Sequence, residues 1–102
     1  MIEKRMFARF PAVGIKYEYA SQNRHSHGSC KDISLGGVRI PEPVSEGENI
    51  FLKLFFQSER LPSKIEGQCV WSNNENSGIK FVNTASYRPT LVHIRSFIGR
   101  SS

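Results

Sequence analysis

The ten residues from Lys31 to Ile40 read KDISLGGVRI. A strand-like run is broken by Gly36-Gly37 and resumes as VRI, which stops at Pro41 and Pro43. Side chains two apart on a strand share a face, so Asp32 and Ser34 present a carboxylate and a hydroxyl together. The glycines allow a bend or bulge and let a ligand come close to the backbone. Two readings of this pair stay open from the residues alone. One is a local Asx or Ser turn ahead of a glycine hinge; the other is an acceptor-rich ledge that meets the N–H groups of a ligand.

Outward from that stretch the pattern has period two. In PAVGIKYEYA, Val13, Ile15, Tyr17 and Tyr19 alternate with Gly14, Lys16 and Glu18, as a half-buried strand requires. SQNRHSHG reads as a polar turn and PVSEGE as a second turn region. NIFLKLFF is a strongly apolar strand, followed by the loop QSERLPS. KIEGQCVWS alternates again, with Ile65, Gly67, Cys69 and Trp71 expected on one side. NNENSG has the Asn and Gly content of a hairpin loop, and IKFV is the return strand. The last segment changes period: Leu91, Ile94 and Ile98 recur at helical spacing, and Val92 and Phe97 widen the stripe. Ser86 is the candidate cap, Pro89 is tolerable in the first turn, and Gly99 is the expected end. The expected fold is mainly β: a small six-stranded antiparallel β-barrel with a C-terminal α-helix. Residues 1–10 form a basic N-terminal arm, 11–99 the barrel and helix, and 100–102 a short tail.

Composition narrows the functional classes. The chain has 102 residues, which points to one domain, and 38% hydrophobic against 23% charged residues is an ordinary globular balance. No apolar run reaches the ~18 residues of a membrane span, and the basic start MIEKRMFARF lacks the apolar stretch of a secretory signal. Cys30 and Cys69 stand far apart with no C-x-x-C partner, which suits two free thiols in a reducing cytoplasm. The net charge of +5 favours an anionic partner. His25, His27 and Cys30 are conceivable metal ligands, but their polar neighbours read as an exposed turn. No Ser-His-Asp or Cys-His arrangement and no carboxylate pair in a plausible cleft is visible, so catalysis is not expected.

Arg5 and Arg9 lie just before the first strand, in RMFAR. Phe10-Pro11 disfavours helix at that junction, and in an extended segment the two guanidinium groups stand roughly 13 Å apart. Two such forks can grip phosphate, stack on a base or pair with a guanine edge. A solvated basic terminus is the plainer reading of these residues.

Taken in order, R-x-x-x-R at Arg5–Arg9 and D-x-S-x-x-G at Asp32–Gly37 resemble the PilZ domain family. GQCVWS followed by GIKF looks like that family's late hairpin, and the terminal helix also fits, so the resemblance covers nearly the whole chain. What it implies is binding of cyclic di-GMP, with no cofactor. Arg5 and Arg9 would clamp phosphates and guanine faces, while Asp32, Ser34 and Gly37 would read a guanine edge. Gly36 would permit close backbone approach, Lys4 would add a phosphate contact, and Trp71 is either a ligand contact or a barrel-core aromatic. The implied mechanism is a cytoplasmic single-domain sensor whose arm orders over the ligand and changes the surface offered to a downstream protein. No nucleic acid and no membrane insertion are expected. The alternatives are a single-stranded nucleic-acid-binding barrel and a PilZ-like adaptor that binds no ligand.

Overall fold

The computed structural model describes residues 8–22, 24–82 and 84–101, with Ser101 described by its backbone alone. Among the described residues the chain forms eight strands and one helix. These are β1 (Phe10–Pro11), β2 (Lys16–Ala20), β3 (His25–Ser29), β4 (Asp32–Ile33), β5 (Gly37–Ile40), β6 (Asn49–Phe55), β7 (Ser63–Ser72), β8 (Ser77–Phe81) and α1 (Tyr87–Ser101). The strands make one antiparallel sheet, ordered β1-β4-β5-β8-β7-β6-β2-β3, that curls into a half-barrel.

Eight strands replace the expected six for two reasons. First, β1 and β2 are halves of one bent run. The Ala12 amide donates to the Lys31 carbonyl (3.2 Å) and the Cys30 amide to that of Ile15 (2.9 Å), which carries the pairing of β2 with β3 across to that of β1 with β4. The bend falls at Gly14, whose φ of +86° lies in the left-handed region that favours glycine. Second, His25–Ser29 is a strand and not part of a turn. It alternates in exposure like its neighbours, but its inward positions are Ser26 and Gly28, too small and polar to register as a hydrophobic period. A Cβ on Gly28 would press on the Tyr17 ring at 3.2 Å, so β3 and β2 approach closely there. The Ser26 hydroxyl donates to Glu42 at 2.7 Å, and the Tyr17 hydroxyl donates to the same carboxylate oxygen.

Alternation sorts the rest. Ile50, Leu52 and Leu54 of β6 face inward with Tyr17 and Tyr19 of β2, Ile65 of β7, and Val38 and Ile40 of β5. Helix α1 closes the core by burying Ile94 and packing Tyr87, Phe97 and Ile98 against it, while Leu91 is half-buried. The buried Thr90 hydroxyl lies within hydrogen-bond reach of the Lys64 and Ser86 carbonyls, at 3.3 and 3.1 Å. Val92, expected on the apolar stripe, points outward at 63% exposure. The helix also continues through Gly99 to Ser101. No helix among the described residues is long and apolar enough to cross a membrane.

Candidate functional site

Residues directly opposed on neighbouring strands point to the same face. Pro11 opposes Asp32, Asp32 opposes Arg39, Arg39 opposes Gly78, and Gly78 opposes Trp71. Their strand neighbours Ile33, Val38, Ile40 and Ile79 are buried, so this row lies on the outer face of β1, β4, β5, β8 and β7. Three strand spacings separate Asp32 from Trp71, roughly 14 Å. Lys80 follows on the same face, opposite Gly37 and Gln68.

Asp32 is held from both sides. Arg9 Nε donates to its Oδ1 at 2.6 Å, and Arg39 Nε lies 2.8 Å from Oδ2 as an ion pair rather than an aligned hydrogen bond. The Asp32 side chain is 15% exposed, while those of Arg9 and Arg39 are 29% and 39% exposed. Charged groups this near the surface keep their guanidinium ends available to an anion while the carboxylate sets where they stand.

Ser34 has a different job from its neighbour. It is buried, and its Oγ accepts from the amides of Gly36 (3.1 Å) and Gly37 (3.2 Å) while lying 3.4 Å from the Gly37 carbonyl. That hydroxyl closes the turn between β4 and β5, together with the Ser34 amide donating to the Gly37 carbonyl at 2.8 Å. Neither Gly36 nor Gly37 adopts a positive φ. Gly37 is needed for space instead, because a Cβ there would collide with the Ile79 carbonyl of β8. The turn is anchored further by Phe81 N–H to the Gly36 carbonyl (2.9 Å) and by Tyr87 Oη, at the start of α1, to the Leu35 carbonyl (3.0 Å).

Trp71 lies outside the core, at 39% exposure. The register of β7 against β8 shifts between Cys69 and Trp71, and this β-bulge leaves Val70 and Trp71 both exposed. Strict alternation puts Trp71 with Cys69 inside; the extra residue turns it out. Its indole lies over Gly78, where any Cβ would strike the ring.

The family model for the PilZ domain matches residues 3–97. The chain belongs to the PilZ domain family. Solved structures agree with its fold. The PilZ domain of CeSA from a cellulose-synthesizing bacterium superposes with a TM-score of 0.68 at 14% identity, over 86% of this chain and 98% of that one. YcgR from Escherichia coli, solved in complex with c-di-GMP, gives 0.75 at 15% identity over 97% of this chain. The Bacillus subtilis inhibitor of motility (MotI/DgrA) gives 0.68 at 15% identity over 96%. The present chain spans 47% and 53% of the latter two. No curated protein matches the sequence.

Of the PilZ motif positions, Asp32 and Arg9 come together directly, and Ser34, Gly36 and Gly37 build the turn beside them. Lys4, Arg5 and most of the arm lie outside the described residues. Arg39 and Lys80 join the same face without having been singled out in the sequence. Arg39 was legible in principle: a two-residue turn at Leu35-Gly36 pairs positions 33 with 38 and 32 with 39. His25 and His27 point outward from β3 whereas Cys30 is buried, so the three do not converge. Burial, and the nearby Asp32 carboxylate after it, push the Cys30 thiol up to about 12.

Proposed function

We propose that this PilZ domain is a receptor for cyclic di-GMP and not an enzyme. The observation that carries the reading is the Asp32 carboxylate, held between Arg9 and Arg39 on an outward row that ends in an exposed indole. A carboxylate accepts from the two N–H donors on guanine's Watson–Crick edge, and guanidinium groups bind phosphate with charge-assisted bonds. On binding, Arg9 moves from Asp32 Oδ1 to a phosphate, freeing that oxygen for guanine, while Arg39 keeps Oδ2 in place. Arg5 and Lys4 add phosphate contacts, the Gly36-Gly37 turn admits the base close to the backbone, and Trp71 offers a stacking face across Gly78. Ordering of the arm ahead of Arg9 over the ligand then alters the surface offered to a downstream protein in the cytoplasm. The ordering costs entropy that these contacts exceed. In this reading Ser34 acts through the turn it closes.

The outward aromatics favour a dinucleotide over single-stranded nucleic acid. Phe51 opposes Glu66, five residues along β7 from Trp71. That is roughly 15 Å, too far for successive bases to stack on both. Titration calorimetry with cyclic di-GMP, run beside GTP, cyclic di-AMP and a short single-stranded oligonucleotide, tests the proposal. Saturable binding of cyclic di-GMP alone is expected. Steeply salt-dependent binding of the oligonucleotide, with indifference to the dinucleotide, would overturn it.

A further inference from the structure

Further along the sheet, away from the Asp32 row, the outer face of β3, β2, β6 and β7 holds a hollow of about 490 Å³. Pairing register lays its side chains out as a grid. One row runs His27, Glu18, Lys53, Lys64, and the next runs His25, Ala20, Phe51, Glu66. Phe51 stands 63% exposed beside Ala20, whose single methyl leaves the floor of the hollow low. A bulky apolar side chain next to a shallow apolar hole is costly to leave in water.

The charges add a second oddity. Lys53 and Lys64 oppose each other directly, which disfavours the pairing of β6 with β7. Among the described residues neither lysine forms an ion pair, and neither do Glu18 and Glu66. Glu18 opposes Lys53 across β2 and β6 without closing an ion pair, so both signs remain open to a partner around one apolar centre.

We propose that this face binds a second copy of the same chain. A two-fold axis in the plane of the face, parallel to the strands and between β2 and β6, keeps each row and exchanges the strands. It lays β2 over the second copy's β6 and β3 over its β7. Glu18 then meets Lys53, Ala20 receives Phe51, and His25 meets Glu66, each contact occurring twice as an isologous interface demands. His27 falls opposite Lys64, where a neutral imidazole nitrogen can accept from the ammonium. Sheets that pack face to face stand ~10 Å apart with strands nearly aligned, which lets a phenylalanine from each side fill the other's hollow. A face of four short strands makes a dimer at the weak, concentration-dependent end of interfaces.

Sedimentation velocity of the full chain, from micromolar to about 1 mM, reads the association, with circular dichroism to show that each variant is folded. Reversible dimerisation is expected. Phe51→Glu should abolish it, and Lys53→Glu should weaken it about tenfold or more by placing two glutamates opposite each other. Adding Glu18→Lys to Lys53→Glu reverses both members of the pair and should restore association to near the parent level. The choice of exposed positions keeps the core intact in all three. A chain that stays monomeric across the range, a dimer indifferent to Phe51→Glu, or a double variant that fails to re-associate would each overturn the proposal. The first outcome would leave the face to a different protein.

Discussion

Arg39 Nε lies 2.8 Å from Asp32 Oδ2, the two residues standing directly opposite each other in the β4–β5 pairing. The arginine belongs to neither the R-x-x-x-R nor the D-x-S-x-x-G pattern, yet it fixes the carboxylate on which the proposed site turns. Arg39→Ala should weaken cyclic di-GMP binding about 10- to 100-fold in calorimetry. Arg39→Lys should recover part of the loss, since an ammonium supplies charge without the fork. Parent-like affinity in Arg39→Ala would remove the residue from the site.

Ser34 and Gly37 are expected to fail by another route. Ser34→Ala strips the acceptor from two turn amides and should cost about 1–3 kcal/mol of stability. Gly37→Ala drives a methyl into the Ile79 carbonyl of β8 and should cost as much or more. Urea denaturation of both variants checks this. A loss of ligand affinity with an unchanged urea midpoint would instead mean that the hydroxyl or the glycine touches the ligand itself.

Trp71 is the only tryptophan in the sequence, so its fluorescence reports one place. Cyclic di-GMP should change its intensity or emission maximum as the base settles against the exposed indole. Gly78→Ala should blunt that response, because a methyl there displaces the ring. A fluorescence titration flat through saturation measured by calorimetry would take Trp71 out of the ligand's reach.

Alkaline pH should loosen the fold in a defined window. Cys30 keeps its proton up to about 12 in the folded chain, against an ordinary value of 9.0, because burial disfavours the thiolate. Between those values the folded state binds the proton that the unfolded state has released, so stability is full below about 9 and falls as pH rises toward 12. Burial and the bond to Glu42 hold the Tyr17 phenol protonated in the same sense. The parent's urea midpoint should fall on going from neutral to alkaline pH, and that of Cys30→Ala should fall less. Equal drops would place the lability elsewhere.

Much of the fold was legible from residues because buried strands announce themselves by alternation, as Ile50, Leu52 and Leu54 do. Strand β3 escaped because its inward positions, Ser26 and Gly28, carry no apolar side chain to mark the alternation. Val92 sits next to the stripe of α1 in sequence but about 100° round the helix from Leu91, and no pattern of hydrophobicity separates the two. In the site, the motifs singled out Arg9 and Asp32 separately but not their contact, and Arg39 went unnamed although the β4–β5 register sets it opposite Asp32. The outward turn of Trp71 was hidden too, since an unpaired residue in a strand leaves no periodic trace.

That surplus residue gives strand β7 a change of parity partway along. Odd-numbered positions look inward up to Cys69, and beyond it the rule inverts, so the hairpin tip wears its indole like a sign hung outside the wall. Deleting Val70 would seat Cys69 and Trp71 as successive residues opposite Ile79 and Gly78, so the regular strand that results still hangs its indole outside: what the surplus residue adds is a second outward side chain beside the sign.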